Sequence, residues 1–131
     1  MRGQNAPFLS VQTIPHWGTM VMIFIETSVF TRQLTELMTD GNYHELQEWL
    51  MASPDAGHLI RGGGGCRKIR WNSPRSGKRG GIRVIYYWMS REDRIFMLLA
   101  YAKSSLGDLT PEQVRTLGKL AKQELEEFGN G

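Results

Sequence analysis

The strongest constraint on how this chain can fold lies in its second half. Three apolar, β-branched or aromatic segments follow one another there: Cys66 to Trp71, Ile82 to Met89 and Ile95 to Ala102. A basic loop from Asn72 to Gly81 joins the first two, and a charged turn from Ser90 to Arg94 joins the last two. A parallel return needs a crossover of about a dozen residues or more, usually a helix, so connections this short bring each strand back beside its predecessor. The stretch therefore predicts an antiparallel meander, with side chains alternating between its two faces.

The flanking segments read as helices that cover such a sheet. Val21 to Glu26 is apolar and β-branched and predicts a short buried strand. Thr27 or Ser28 is placed to cap a helix carrying Phe30, Leu34, Leu37 and Met38 at helical spacing. Asp40-Gly41-Asn42 is expected to break it. Asn42 with Glu45 resembles a capping box for a second helix, whose stripe is Tyr43, Leu46 and Leu50 and which Pro54 ends. Trp49 and Met51 read as packing residues. Thr110-Pro111-Glu112-Gln113 carries a Thr cap, a first-turn Pro and a Gln three residues after the cap. Val114, Leu117, Ala121, Leu125 and Phe128 then mark one face of a last helix. Residues 1–21 show no useful period and include Pro7, Pro15 and Gly18. They are expected to be a loose leader, poorly ordered unless tied down. Met20 and Met22, just before the first recognisable element, are alternative starts. With 131 residues there is room for one domain, expected over 22–131. The fold class expected is α+β: an antiparallel twisted sheet with two N-terminal helices and a C-terminal helix.

Charge is distributed unevenly. The net charge is only +3, yet Arg61, Arg67, Lys68, Arg70, Arg75, Lys78, Arg79 and Arg83 fall in one stretch without a single Asp or Glu. Such a local field suits a polyanion or an acidic partner segment. Cys66 is the only cysteine, which removes a disulfide framework and a thiolate-rich metal site. His16, His44 and His58 lack metal-ligand spacing. No cofactor is expected. The apolar run from Thr19 to Ile25 is far shorter than the about 20 residues a membrane span requires. A cytoplasmic protein is the simplest account.

Alternation places Lys68 and Arg70 on one face of their strand, and Arg67, Ile69 and Trp71 on the other. Arg83 shares a face with Ile85 and Tyr87, and Tyr101 points with Lys103. If these faces coincide, Lys68, Arg70, Arg83, Tyr101 and Lys103 converge. Like charges on neighbouring strands repel, so this cluster calls for an anion. The structural alternative is that some of them pair with the charged turn or the last helix. Arg and Lys grip phosphate, and aromatic rings stack on unpaired bases. Arg67, Lys78, Arg79 and Tyr87 are the candidates for holding RNA around the cluster. About half of the aromatic residues Trp71, Tyr86, Tyr87 and Trp88 must nonetheless pack inward. The run Gly62–Gly65 is no phosphate loop, because it lacks the Gly-Lys-Ser/Thr ending and leads into a strand. Its glycines are expected to permit an unusual turn.

From about Ile23 to Phe128 the chain resembles RelE-like toxins, in particular the HigB-type branch of bacterial type II toxin–antitoxin modules. The segments that carry the resemblance are GGGGCRKIRW (62–71), GKRGGIRVIYYW (77–88) and LLAYAKSSLGDLTPEQ (98–113). The resemblance implies a ribosome-dependent endoribonuclease that cuts messenger RNA through attack of the 2′-hydroxyl on the adjacent phosphate. It puts basic active-site residues at Lys68, Arg70 and Arg83, with Lys103 near the C-terminal catalytic segment. Arg83 is expected on the phosphate and Lys68 or Lys103 as general base, since a cation beside other cations loses its proton more readily. Tyr87 and Tyr101 are expected to stack or to position the hydroxyl. Some members carry a further Arg and Tyr after the third strand. Ser104, Ser105 and Leu106 stand there in this chain, so the expectation is either slower cleavage or a general acid supplied by Lys103 and Tyr101. The implied partners are the ribosome, messenger RNA and a cognate antitoxin, often with a helix-turn-helix. A ParE-like gyrase inhibitor shares the fold and is the first alternative; a non-catalytic binding relic is the second.

Overall fold

The structure, a computed structural model, describes residues 8–16, 20–72, 81–106 and 108–130. In chain order these form strands β1 (Phe8–His16) and β2 (Met20–Thr27), then helices α1 (Ser28–Leu37) and α2 (Asp40–Ala52). Strands β3 (His58–Leu59), β4 (Arg67–Trp71), β5 (Ile82–Met89) and β6 (Arg94–Ala102) follow, then a four-residue helix α3 (Lys103–Leu106) and helix α4 (Pro111–Asn130).

The meander is present, with β4, β5 and β6 pairing antiparallel in sequence order. The whole sheet runs β1-β2-β6-β5-β4-β3. It is not antiparallel throughout, as the sequence pattern had suggested. β2 lies parallel to β6, with Ile23 opposite Arg94 and Glu26 opposite Met97. The apolar β2 needs a buried neighbour, and the free edge of β6 supplies one in either direction. The helices that follow select the parallel one. Thr27 caps α1, accepting from the Phe30 amide at 3.0 Å, and its own hydroxyl donates to the Leu98 carbonyl at 2.8 Å. Gln33 of α1 accepts from the Ala100 amide at 2.9 Å. Helix side chains thus satisfy the β6 backbone just past the last paired residue of β2, as buried backbone requires.

Part of the stretch expected to be a loose leader is tied down: β1 pairs antiparallel along β2, with His16 opposite Met20 and Ile14 opposite Met22. The second correction concerns the helix junction. Asp40, Gly41 and Asn42 do not lie between helices but form the first turn of α2, because Thr39 takes the cap and accepts from the Asn42 amide at 3.1 Å. Trp49 also departs from expectation. It is 52% exposed, while Met51 is buried as expected. The start of α4 follows the sequence reading closely. Thr110 and Gln113 exchange hydrogen bonds of 2.9 and 3.1 Å, the reciprocal pattern of a capping box. Ala121 is buried, Val114 and Leu117 are half-buried, and Leu125 and Phe128 have side chains outside those described.

Both faces of the sheet are covered. On one, Phe24, Ile69, Ile82, Val84, Tyr86 and Met97 pack with Phe30 of α1 and Tyr43, Leu46 and Leu50 of α2. On the other, Ile25, Ile85, Phe96 and Leu98 pack with Leu117 and Ala121 of α4. The first core encloses a charged group. Glu26, 2% exposed, accepts from the Tyr43 hydroxyl at 2.7 Å and from the Thr31 hydroxyl at 2.8 Å. A buried carboxylate is tolerated only with such donors. The tie joins β2 to both helices at one point.

Burial first, then the adjacent Glu26, pushes the Tyr43 hydroxyl far above the ordinary phenol range. A raised folded value means this stabilisation is complete below about pH 10 and falls as pH rises beyond it. Tyr43→Phe is expected to cost about 1.5–3 kcal/mol at neutral pH, the range for a hydrogen bond to a charged group, measured by urea unfolding. The same variant should lose less stability than the parent between neutral and strongly alkaline pH.

Candidate functional site

Strand register decides which cations meet. Arg70 of β4 lies directly opposite Arg83 of β5, and Arg83 directly opposite Tyr101 of β6. Residues opposite each other share a face, so these three form one row across the meander. Lys68, two residues before Arg70, lies on the same face and opposite Ile85. This is the face covered by α4, and the row sits where β4 and β6 finish and β5 begins, with Tyr101 in the core that α4 helps to form.

Lys103 reaches the cluster by another route than the strand alternation predicted. It opens α3, and its amide bonds to the Gly81 carbonyl at 3.1 Å. Its ammonium donates to the Asp108 carboxylate at 2.6 Å. Lys103, through its hydrogen bond and its charge, holds the Asp108 carboxyl below the usual carboxylate range. Lys68 and Arg83 act on it in the same direction. Asp108 is thus a member of the cluster that sequence reasoning missed. Its place beside the capping box made it look like part of a helix start. The alternative of pairing with groups near the last helix is realised at Lys103.

Tyr101 is buried, and its hydroxyl has no hydrogen-bond partner among the described residues. Burial first and then Asp108 push its hydroxyl above the ordinary phenol range, with Arg83 opposing. The ring is therefore inaccessible for stacking on a base, and the hydroxyl, neutral but likewise buried, meets an RNA atom only where docking uncovers it.

Arg67 is not brought to the cluster. It faces the other way, and its guanidinium donates to the carbonyls of Asp55 at 3.2 Å and Gly57 at 2.8 Å. Tyr86 completes that arrangement by donating to the Pro54 carbonyl at 2.7 Å and accepting from the Gly57 amide at 2.9 Å. Both side chains hold the turn that follows α2. Tyr87 is half-buried on the cluster face and packs against Phe96, ring centres 6.4 Å apart. Trp71 and Trp88 pack against the opposite core. Lys78 and Arg79 lie outside the described residues.

The glycine run fixes where α4 sits. Gly62, Gly64 and Gly65 have φ of 77°, 65° and 101°, which glycine alone adopts without strain. Their turn brings the loop backbone against α4 at Gly118, where an added Cβ would meet the Gly63 carbonyl carbon and oxygen at 3.1 Å. Beneath the contact, the Cys66 thiol is fully buried beside the Leu117 carbonyl, and burial pushes it up to about 11. Cys66 is a packing residue. Between β6 and α4 a groove of about 460 Å³ is lined by Leu99, Leu109, Glu112, Gln113, Thr116 and Leu117.

These features agree with a comparison against known families. The model of the RelE toxin of RelE/RelB toxin–antitoxin systems matches residues 52–128. The chain belongs to the RelE toxin family. The match begins at the end of α2 and takes in the meander, the cationic row and most of α4. A RelE-family toxin is one half of a toxin–antitoxin pair, so an antitoxin is its implied partner. Among the described residues no helix is long and apolar enough to cross a membrane.

Helix propensity alone would make Gly118→Ala stabilising by about 0.5–1 kcal/mol. The contact with the Gly63 backbone reverses the sign: a net loss of about 1–2 kcal/mol is expected by urea unfolding, as for other overpacked sites. The same variant should speed iodoacetamide labelling of Cys66 under native conditions. A net gain in stability would show that the loop yields.

Proposed function

We propose that this RelE-family toxin is an endoribonuclease that cuts messenger RNA on the ribosome and so stops translation. The observation that carries the reading is the row Arg70–Arg83–Tyr101, flanked by Lys68 and by Lys103, at one end of the sheet. Family membership and a clustered positive field support it together.

The side chains supply what cleavage by the RNA's own 2′-hydroxyl requires. Lys68 is the candidate base that takes the proton from that hydroxyl. The 2′-oxygen attacks the adjacent phosphorus, and negative charge builds on the non-bridging oxygens. Arg83 and Arg70 stabilise that charge with fixed guanidinium forks, which are worth most where the charge develops. The P–O5′ bond then breaks, leaving a 2′,3′-cyclic phosphate on one fragment. The departing 5′-oxygen takes a proton from Tyr101 or Lys103, becoming a 5′-hydroxyl. Tyr101 fits the donor role once docking uncovers its buried hydroxyl, which is held neutral and is not spent on a protein partner among the described residues. Tyr87 and, in the basic loop, Lys78 and Arg79 are the candidates for holding flanking nucleotides. The cognate antitoxin, often a helix-turn-helix protein, would act by covering this face or by blocking entry to the ribosome, in the cytoplasm where both reside.

Primer extension on a defined messenger RNA, with and without programmed ribosomes, tests the reading. Cuts are expected only with ribosomes, and the Lys68→Ala, Arg83→Ala double variant should reduce them by at least about 10²-fold, the usual cost of removing oxyanion stabilisation. Tyr101→Phe should slow cutting while leaving RNA binding intact. Uncut messenger on active ribosomes would turn attention to gyrase, the target of the related ParE-like toxins.

A further inference from the structure

The cationic cluster already holds an anion of the chain's own. Asp108 accepts from Lys103 at 2.6 Å, and its carboxyl also lies within the influence of Lys68 and Arg83, the two residues assigned above to the base and to the phosphate. It reaches them from the turn between α3 and α4, not from the sheet that carries the other members. The Asp108 side chain is 73% exposed, so it sits at the solvent mouth of the cluster and not under it. An exposed ion pair is weak and is readily exchanged for another anion.

We propose that Asp108 occupies the place of an RNA phosphate in the free toxin, and that docking of the RNA displaces it from Lys103. This rests on the reading of the cluster as an RNA site. The physical logic is one of competition. Cations facing one another across adjacent strands repel, and an internal carboxylate relieves the repulsion until a phosphate arrives. An incoming phosphate therefore gains only the difference between its own attraction and that of Asp108. Free RNA is held weakly as a result, while RNA already positioned by the ribosome has lost less freedom on docking and overcomes the competitor. Asp108 would thereby raise the dependence on the ribosome without touching the reacting atoms.

The exchange also predicts a change in salt dependence. When phosphate replaces Asp108 at Lys103, that cation was neutralised beforehand and contributes little to counterion release. Without the carboxylate, the same contact adds about one neutralised cation, and the slope of log affinity against log salt steepens by about 0.7 for a single strand.

The test uses full-length protein and a labelled single-stranded RNA with a 2′-deoxy substitution at the cleaved position, followed by fluorescence anisotropy over a range of salt. Asp108→Asn keeps the shape and a hydrogen-bonding oxygen. It is expected to bind several-fold more tightly at low salt, with the steeper slope. Glu45→Gln makes the same charge change on α2, which covers the opposite face of the sheet, and is expected to match the parent. Thermal melting of all three proteins checks that the fold is kept. Binding by the parent with no gain in Asp108→Asn, or an equal gain in Glu45→Gln, overturns the competition and leaves the RNA site standing. Absence of RNA binding in every protein, with the fold intact, overturns the competition and the RNA site together.

Discussion

Everything in this fold has to accommodate β5, a strand with apolar cover on both faces. Ile82, Val84 and Tyr86 go to the core beneath α1 and α2, while Ile85 and Tyr87 go to the core beneath α4. A charge in the middle of such a strand would lose its hydration with nothing to replace it. Arg83 stands one residue from the start of the strand and is only half-buried, so its guanidinium is not wholly withdrawn from water. Arg70 near the end of β4 and Tyr101 near the end of β6 are brought level with it by the pairing register. The cluster thus lies where the strand ends meet, with Tyr101 as its link to the second core.

Some polar groups inside the molecule serve the fold. Glu26 with Tyr43 and Thr31, and Arg67 with the carbonyls around Gly57, have their partners supplied by the chain. They connect elements distant in sequence and are spent on the fold. At the end of the sheet the balance differs: Lys68, Arg70, Arg83 and Lys103 gather, and among the described residues the carboxylate shown with them is the exposed Asp108. The Tyr101 hydroxyl there has no partner among the described residues. It is this excess of one sign, more than the unpartnered hydroxyl, that sets the end of the sheet apart, since Trp71 and Trp88 also carry buried donors without partners among the described residues.

The meander, the Thr27 cap, the Thr110–Gln113 box and the shared face of Lys68 and Arg70 were legible because each follows from local spacing. What local spacing does not contain is direction and competition. The pattern of β2 fits an edge of either polarity, and only the contacts of Thr27 and Gln33 with β6 select the parallel one. Thr39 and Asn42 are both able caps one turn apart, and the earlier one won. Alternation put Arg67 opposite the cluster, yet its charge still suggested RNA, because its carbonyl partners leave no trace in residue identity. Trp49 reads as core by type, but it stands on the outer side of α2. Asp108 was hidden for a related reason: its partner is set by how the chain turns after β6.

The meeting of Gly63 and Gly64 with Gly118 has a consequence for how the family member can vary over time. A helix seated by backbone against backbone owes its position chiefly to one residue lacking a side chain, together with the apolar stripe of Leu117 and Ala121. The exposed positions around it, Arg115, Lys119 and Lys122, make no demand on that seat. Substitutions can accumulate across this outer surface while the helix stays where it is. What holds this helix in place is thus separate from what it shows to solvent.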